Sequence, residues 1–333
     1  MPRESCRRRA VIEMSKLFKV LSIDGGGIRG IVPAVILAEI ERVTEKPIAK
    51  LFDLITGTSS GGILALGLVR PGENGQPGFS AQDGIKLFAD EGHRIFSRST
   101  WHKVRSVWSV EQEKYPAVGI EAVLREYFGD ARLKDAVTPV LITSYEIERR
   151  TPFFFKSERA RSKEGKEYDF PMWEVARAAT AAPTFFEPVK LSTDDPPRSY
   201  ALVDAGIFAN NPAMCAFAEA RAMHPKADVL VASFGTGEFT QPILYENASG
   251  WGLRQWAQPL FGISFDGTSS TVDYQLTQLL SEKHYFRFQG KLNECNDDMD
   301  DASPTNVRAL QLLAQGMIEE NAQSFEELCR QIT

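Results

Sequence analysis

Cysteine, histidine and long apolar runs are all scarce in this sequence. Four of the 333 residues are cysteine, and no two of them form a C-x-x-C pair. A disulfide framework or a cysteine-based zinc site is therefore not expected, and a cytoplasmic location fits best. The longest apolar runs, at residues 31–40 and 63–69, are shorter than the ~18 residues that a membrane-spanning helix needs. Contact with a membrane would have to be peripheral.

An excess of positive charge is also missing. The formal net charge is −6 and the isoelectric point is near 5.5, so the composition does not support a nucleic-acid polymer as partner. Residues 1–15 carry several arginines, but no apolar segment follows them, which argues against a secretory signal. We expect residues 1–15 to be a disordered leader and residues 16–333 to form a single domain.

Short apolar, β-rich segments alternate with longer helical ones. Strands are predicted at residues 17–23, 51–56, 138–143, 153–156, 200–203 and 228–234. Helices are predicted at residues 28–44, 61–69, 82–96, 117–128, 171–181 and 212–224, with one or two more in 302–333. Loops are expected at residues 70–80, 157–166 and 194–199. This alternation predicts an α/β fold with a mostly parallel central sheet and helices on both faces.

The first candidate catalytic motif is Gly57-Thr58-Ser59-Ser60-Gly61, between a predicted strand and a predicted helix. A G-x-S-x-G sequence in this context is typical of a nucleophile elbow, a sharp turn that exposes a serine. The glycines let the chain turn without Cβ clashes, and the amides that begin the helix can bind an oxyanion. The spacing indicates Ser59 as the nucleophile.

The second motif, residues 24–30 (DGGGIRG), also joins a strand to a helix. It contains G-x-G-x-x-G, which is found in dinucleotide-binding folds, so a nucleotide- or phosphate-binding module is one interpretation. That interpretation requires an acidic residue at the tip of the next strand, whereas Asp53 lies inside it. The other interpretation is an oxyanion hole, because Gly25, Gly26 and Gly27 expose successive amides at a helix start.

A base is needed to take the proton from Ser59. The four histidines lie outside small-residue turns that follow strands: His93, His102, His224 and His284. Asp204 follows a predicted strand, and Ala205-Gly206 after it allow a tight turn. A carboxylate with an ordinary pKa of about 3.9 is a weak base toward serine, so such a site has to be dry.

Together, residues 24–30 (DGGGIRG), 57–62 (GTSSGG) and 204–206 (DAG) resemble the three motifs of the patatin-like phospholipases in order and spacing. Residues 176–188 also resemble the family. The resemblance implies a three-layer α/β/α patatin-like fold and a lipid acyl hydrolase that cleaves fatty acyl esters of glycerophospholipids. It implies no metal and no cofactor. The third motif departs from the usual DGG or DGA, and we expect the small Ala205 to be harmless.

The resemblance also assigns roles to individual residues. It implies Ser59 as nucleophile and Asp204 as its partner in a catalytic dyad. It implies an oxyanion hole formed by Gly25, Gly26, Gly27 and Arg29. The remaining motif glycines would support these turns: Gly30, Gly57, Gly61 and Gly206.

More specifically, the chain resembles a bacterial branch that includes cyclic-oligonucleotide-activated phospholipases of antiviral defence. This implies an enzyme that stays latent until an activator binds, and that meets membrane phospholipids at the inner membrane surface. Residues 251–261 are rich in tryptophan and could be a lipid-facing surface or part of the core. Residues 94–114 combine tryptophan with basic residues and could be a lipid-facing surface or an ordinary solvated surface. The acidic run 296–301 lacks the order of a calcium loop and is interpreted as a solvated turn.

Overall fold

A computed structural model describes residues 17–96, 115–163, 165–194 and 196–333. The predicted leader, residues 1–15, and most of the basic segment 94–114 lie outside the described residues. The strands are β1 (Leu17–Ile23), β2 (Leu54–Gly57), β3 (Val140–Glu146), β4 (Thr151–Lys156), β5 (Val189–Asp194), β6 (Pro197–Asp204), β7 (Asp228–Phe234) and β8 (Tyr285–Phe288).

The N-terminal part of the chain contains helices α1 (Ile31–Thr44), α2 (Ser60–Val69), α3 (Ala81–Ile95), α4 (Ala117–Phe128), α5 (Ser157–Arg161) and α6 (Met172–Ala179). The second half of the chain adds α7 (Gly206–Ala209), α8 (Ala213–Met223), α9 (Tyr245–Ala248), α10 (Leu253–Leu279), α11 (Pro304–Glu320) and α12 (Ala322–Ile332).

The described residues form one eight-stranded sheet in the order β5-β6-β3-β2-β1-β7-β8, with β4 paired to β3. The pairs β1–β2, β1–β7, β2–β3 and β7–β8 are parallel. The pairs β3–β4, β3–β6 and β5–β6 are antiparallel. The sheet is therefore mixed and mostly parallel, as the sequence predicts.

Helices cover both faces of this sheet. Alternate residues of β1 enter different cores: Leu21 and Ile23 belong to the larger apolar cluster, Val20 to the smaller one. Helices α1, α2, α11 and others contribute to the larger cluster, whereas α8 and α10 contribute Ala213, Ala216, Ala220 and Leu276 to the smaller. Because successive strand side chains point to opposite faces, these are the two sides of the sheet. The expected three-layer α/β/α fold is confirmed.

Several predicted boundaries need correction. Residues 157–166 were expected to be a loop, but α5 begins there at Ser157. Residues 194–199 were also expected to be a loop, but β5 and β6 continue into this segment and pair as a hairpin, with Asp194 opposite Pro197. Strand β2 begins at Leu54 instead of residue 51, because the Asp53 side chain accepts a hydrogen bond from the Lys19 amide (2.8 Å) beside the strand.

The elements without a sequence prediction are β5, β8, the short helices α7 and α9, and most of α10. Helix α10 runs for 27 residues through Pro259, which interior helix positions normally disfavour. No helix in the part of the chain that the structure describes is long and apolar enough to cross a membrane.

Candidate active site

The C-terminal ends of strands β2 and β6 meet on one edge of β3. Strand β4 occupies the other edge continuously, from Leu141 to Glu146, so β2 and β6 must share the remaining edge. Parallel β2 ends with Gly57 opposite Ile142, and antiparallel β6 ends with Asp204 opposite Ser144. The turns that follow both strands therefore meet beside Thr143, and these turns carry Ser59 and Asp204.

A hydrogen-bonded pair of threonines ties this junction together. Thr58 Oγ1 donates to the Ala209 carbonyl (2.7 Å), in the helix that follows Asp204. Since that bond uses the only Thr58 hydroxyl proton, Thr143 Oγ1 is the donor in the 2.7 Å contact between the two hydroxyls. The amide of Asp204 donates to the Ala181 carbonyl (3.0 Å), within the stretch 176–188 that the sequence singles out.

Ser59 occupies the strained turn that the motif predicts. Its backbone angles are φ 53° and ψ −127°, a region that residues other than glycine rarely adopt. The flanking glycines allow the turn to close: a methyl group on Gly57 would lie 2.1 Å from the Gly61 carbonyl oxygen, and one on Gly61 would lie 2.4 Å from the Ile23 carbonyl oxygen. The Ser59 residue is 8% exposed, so it is almost completely buried.

This strain leads to a first prediction. Ser59→Gly should be more stable than Ser59→Ala by about 1 kcal/mol. The strain that Ala retains costs roughly 1–3 kcal/mol, and the extra chain entropy of Gly removes about 0.5–1 kcal/mol of the gain. Urea unfolding of the two variants measures the difference directly. A Gly variant less stable than the Ala variant would contradict the strain.

Asp204 is buried, and its environment raises the pKa of its carboxyl group. Burial is the main cause and brings the pKa to about 6, although the Ser59 hydroxyl and the Gly206 amide both favour the charged form. The Gly206 amide donates to Oδ1 (2.8 Å). Oδ2 has no partner with hydrogen-bond geometry among the described residues, so the Ser59 hydroxyl is close to the carboxylate but not aligned with it. Long or poorly aligned contacts of this kind are common in active sites without substrate.

Helix α10 closes the Asp204 turn from outside. A methyl group on Gly206 would lie 2.5 Å from the Phe265 ring and 3.3 Å from Asp204 Oδ1, so only glycine fits between them. One residue earlier, Ser264 Oγ donates to the Ile207 carbonyl (2.7 Å). The dryness of the carboxylate therefore depends partly on this helix.

The glycine-rich loop lies against Ser59, where a methyl group on Gly25 would be 3.0 Å from Ser59 Cβ. Four of its amides donate within the protein: Asp24 to the Phe234 carbonyl (3.0 Å), Gly25 to the Asn210 carbonyl (3.1 Å), Ile28 to the Met299 carbonyl (2.8 Å), and Arg29 to the Gly26 carbonyl (3.2 Å). The amides of Gly26 and Gly27 have no hydrogen-bond partner among the described residues. Of the four predicted oxyanion-hole residues, these two offer free backbone amides, and Arg29 Nη1 is a buried side-chain donor without a partner among the described residues.

Arg29 contributes through its side chain. Its Nε donates to the Gly26 carbonyl (3.3 Å), and its guanidinium lies 4.6 Å from the centre of the Phe239 ring. Burial lowers its pKa to about 10, while the nearby carboxylates of Asp266 and Asp297 oppose this shift. Arg29 therefore remains charged at neutral pH and holds the carbonyl side of the loop.

A buried ion pair anchors the start of the same loop. Asp24 Oδ2 accepts from Arg287 (2.7 Å) and from Ser269 Oγ (3.2 Å), and Arg287 also donates to Ser233 Oγ (2.8 Å). Burial raises the pKa of Asp24 above its ordinary value, and the Arg287 charge opposes that shift. These hydrogen bonds connect the end of β1 with β7, β8 and α10 at the start of the glycine-rich loop.

Some expectations about this region are corrected or extended. The acidic run 296–301 is not simply a solvated turn: its Met299 carbonyl packs on the glycine loop, and Asp297 Oδ1 is buried. Sequence reasoning also missed Arg287, Phe265 and Thr143. A polar residue inside an apolar strand was the available signal for Thr143, whereas Phe265 and the Met299 carbonyl carry none.

The described histidines do not join the site. His93 lies in the last turn of α3, His224 stacks on Phe18 at the opposite end of β1 (4.7 Å between ring centres), and His284 directly precedes β8. The fourth, His102, lies outside the described residues. Across residues 17–96, 115–163, 165–194 and 196–333, no group of three or more His, Cys, Asp or Glu side chains could hold a metal ion.

Comparisons with known proteins address the class of this site. The family described as "Patatin-like phospholipase" matches residues 21–217. A potato (Solanum tuberosum) protein named "Probable inactive patatin-3-Kuras 1" is 32% identical, over 94% of this chain and 91% of its own length. "Patatin-like protein 6" of Arabidopsis thaliana is 32% identical, over 92% of this chain and 66% of its own. Among solved structures, VipD from Legionella pneumophila covers 91% of this chain and 67% of its own at 13% identity, with a TM-score of 0.33.

A strained serine at a strand–helix turn, with a buried carboxylate and a glycine-rich loop beside it, has the parts needed for nucleophilic attack on an ester. The chain belongs to the patatin-like phospholipase family. Membership implies lipid acyl hydrolase activity in general terms. The two patatin relatives named above are plant proteins, and placement in a bacterial, nucleotide-activated branch stays a prediction.

Proposed function

We propose that this protein hydrolyses fatty acyl esters of phospholipids with a Ser59–Asp204 dyad. The Asp204 carboxylate accepts the Ser59 hydroxyl proton as Oγ attacks the ester carbonyl. The C–O bond to the glycerol side breaks, and the alcohol leaves with the proton. Water then adds to the acyl-Ser59 ester by the same route, which releases the fatty acid and restores the serine.

Two free amides are available for the negative charge of the tetrahedral intermediate. We assign this role to Gly26 and Gly27, because the other amides of the loop donate within the protein. Such donors typically stabilise an oxyanion by about 3–4 kcal/mol each. The Gly25 and Arg29 amides keep the loop in shape, and the Arg29 side chain holds the Gly26 carbonyl.

The observation that carries this proposal is the head-to-head arrival of β2 and β6 on one edge of β3. It places a strained serine and a buried carboxylate of raised pKa together. The raised pKa matters because a carboxylate with an ordinary pKa is too weak a base to activate serine.

The direct test is hydrolysis of a fluorogenic acyl ester and of mixed phospholipid vesicles, with EDTA present throughout. Wild type should be active, and Ser59→Ala and Asp204→Ala should lose the activity on both substrates. Thr58→Ser is the matched control, because it keeps the hydroxyl next to the nucleophile. Activity that survives in Ser59→Ala would overturn the proposal.

A pH dependence follows from the Asp204 environment. The base must be deprotonated to act, and its pKa is about 6. We therefore expect kcat/KM for a soluble short-chain ester to rise tenfold per pH unit below about pH 6 and to level off above it. A profile without a transition between pH 5 and 7 would show that another group is the base.

Peripheral membrane contact is a further part of the proposal, and α10 is the element that we assign to it. Ser264 and Phe265 of this helix touch the Asp204 turn, while Leu253, Leu260 and Ile263 on the same helix are exposed. Trp251 and Trp256 stack edge to face beside them (5.1 Å) and are half-buried. The described side chains of Trp251, Leu253, Trp256 and Leu260 therefore reach the surface, where tryptophan and leucine can enter the headgroup region.

Vesicle flotation of the inactive Ser59→Ala protein tests this surface. Adding Leu253→Ser and Leu260→Ser should weaken binding about tenfold or more, because each leucine loses roughly 1.5–3 kcal/mol of burial. Leu279→Ser is the matched control on the same helix, since Leu279 is 56% exposed and Leu260 is 55% exposed. The two lie about 28 Å apart along the axis. An equal loss of vesicle binding in the Leu279→Ser control would contradict the assignment of this surface to membrane contact.

Two predictions concern soluble ligands. The cyclic-oligonucleotide activator is tested by adding such compounds to the wild type: faster hydrolysis would support it, and an unchanged rate with all of them would contradict it. The alternative function, a nucleotide-binding module at residues 24–30, predicts nucleotide retained on the purified protein. It would have to use a loop in which only the Gly26 and Gly27 amides are free at the helix start.

A further inference from the structure

A separate open cleft lies on the part of the sheet formed by β3, β4 and β6. Its volume is about 580 Å³, which is within the ~300–1,000 Å³ of typical small-molecule sites. None of its lining residues belongs to the glycine loop, the serine turn or the Asp204 turn. It is therefore distinct from the site proposed for hydrolysis.

Positive charge dominates the walls of this cleft. The lining holds four basic side chains, Arg149, Lys156, Arg159 and Arg198, and one carboxylate, Glu146. Glu146 is buried, and its two oxygens accept from the amides of Arg149 (2.6 Å) and Ala201 (3.1 Å). This carboxylate is therefore already engaged in holding the backbone.

The four cations differ in how fully they are paired. Lys156 pairs with Glu219 (2.6 Å) and Arg198 with Glu167 (3.0 Å), both from outside the lining. Arg149 is 3.5 Å from Glu146, and among the described residues Arg159 has no carboxylate within 4 Å. Arg149 Nη2 also donates to the Ser199 carbonyl (3.1 Å), so Arg149 keeps part of its capacity to bind an anion and Arg159 keeps most of it.

Aromatic rings hold these two arginines in place. The Arg159 guanidinium lies 3.4 Å from the centre of the Tyr168 ring, and the Arg149 guanidinium lies 5.1 Å from the centre of the Tyr200 ring. The two tyrosine rings are 6.4 Å apart. A guanidinium stacked on a ring keeps its edge N–H groups free, and these match the oxygens of a phosphate group.

Tyr200 supplies a second, independent sign of a ligand. Its residue is 5% exposed, and its hydroxyl has no partner with hydrogen-bond geometry, although Tyr168 and Arg198 lie near it. Buried hydroxyl groups are normally paired, and an unpaired one in a cleft is explained when a ligand supplies the missing partner.

We propose that this cleft binds a phosphate ester, whose oxygens accept from Arg149, Arg159 and the Tyr200 hydroxyl and whose organic part packs on Phe153 and Tyr168. The volume leaves room for more than inorganic phosphate. The ester is either a free metabolite with a planar ring or the headgroup of an acidic phospholipid, which share this chemistry.

The cleft is also connected to the proposed dyad. Tyr200 and Asp204 lie four residues apart on β6, so their side chains leave the strand on the same face, about 13 Å apart. An occupied cleft would therefore fix the strand that carries the catalytic carboxylate. The binding itself does not depend on the proposed hydrolysis.

Calorimetric titration of the full chain carrying Ser59→Ala tests the proposal without turnover. The probes are AMP, adenosine, glycerol phosphate and inorganic phosphate, together with phosphatidylcholine vesicles with and without phosphatidic acid. We expect saturable binding of AMP or of the phosphatidic-acid vesicles, and none of adenosine. AMP binding assigns a free ester, and binding of the acidic vesicles alone assigns a headgroup.

Variants separate the cleft from general charge. Arg149→Gln with Arg159→Gln should weaken binding at least tenfold, and Tyr200→Phe should weaken it several-fold. Arg150→Gln with Arg308→Gln removes the same charge from exposed positions outside the cleft and should leave binding unchanged. No saturable binding of any phosphate probe, or equal loss in both double variants, would overturn the proposal.

Discussion

Asp204→Asn should lose most of its hydrolytic rate and yet unfold less readily than the wild type. The rate should fall on the order of 10²–10⁴-fold, because Asn cannot accept the Ser59 proton. The gain in stability has a different cause. The folded protein holds a carboxylate in a buried site that disfavours its charge, and Asn occupies the same space without a charge.

The sign of the stability change follows from the pKa. The pKa of Asp204 is raised from 3.8 to about 6 on folding, so the folded state binds the proton more tightly than the unfolded state between these values. Wild-type stability therefore falls as pH rises through this window. The raised pKa of Asp204 lowers the free energy of unfolding by about 3 kcal/mol at pH 8 and by about half of that at pH 5.

Urea unfolding of the wild type and Asp204→Asn at pH 5 and pH 8 measures both quantities. The variant should be more stable at both, with the larger gain at pH 8. Asp204→Ala is the comparison, since it also removes the acceptor for the Gly206 amide and should gain less. A variant less stable than the wild type at pH 8 would contradict the view of Asp204 as a strained functional group.

Arg287→Met should be the most destabilising of the single substitutions considered, at about 3–5 kcal/mol. It leaves the Asp24 carboxylate buried without its cation, and breaking one side of a buried pair has a cost of this size. The side chains of Asp24 and Arg287 are 1% and 12% exposed. Because Asp24 begins the glycine loop, activity should fall together with stability.

A double variant separates charge from packing. Asp24→Asn with Arg287→Met removes both charges and should recover much of the loss, so the two substitutions should be far from additive. Arg42→Met is the surface control: its pair with Glu39 (2.6 Å) is exposed, and its loss should cost less than about 1 kcal/mol. Urea unfolding at neutral pH measures the wild type, the single variants Asp24→Asn, Arg287→Met and Arg42→Met, and the double variant. A double variant as unstable as the sum of the singles would contradict the argument.

Local sequence was sufficient to predict the turns that carry Ser59 and Asp204. Ser59 sits in a turn whose glycines are next to it in sequence, and Ala205-Gly206 directly follow Asp204. Small residues at a strand end are a short-range signal, so the turns and most of the parallel strands were predictable. The predicted partnership of Ser59 and Asp204 is consistent with where the strands end, and it awaits experiment.

Long-range contacts explain what the sequence did not predict. Arg287 is 263 residues from Asp24, and a lone arginine in a short apolar strand does not indicate its partner. Strand β6 runs antiparallel onto an edge that β2 already occupies in part, which no local pattern encodes. The contact of Met299 with the loop is made by its carbonyl, and a backbone carbonyl is present at every residue.

The most direct test of the central claim is rapid quenching of the wild type with an activated acyl ester, followed by peptide mass analysis. The account predicts one acyl group per chain on the peptide that contains Ser59, and none in Ser59→Ala. It also predicts slower formation of this adduct in Asp204→Asn. An acyl group on any other residue, or turnover without an adduct on Ser59, would contradict the proposed dyad.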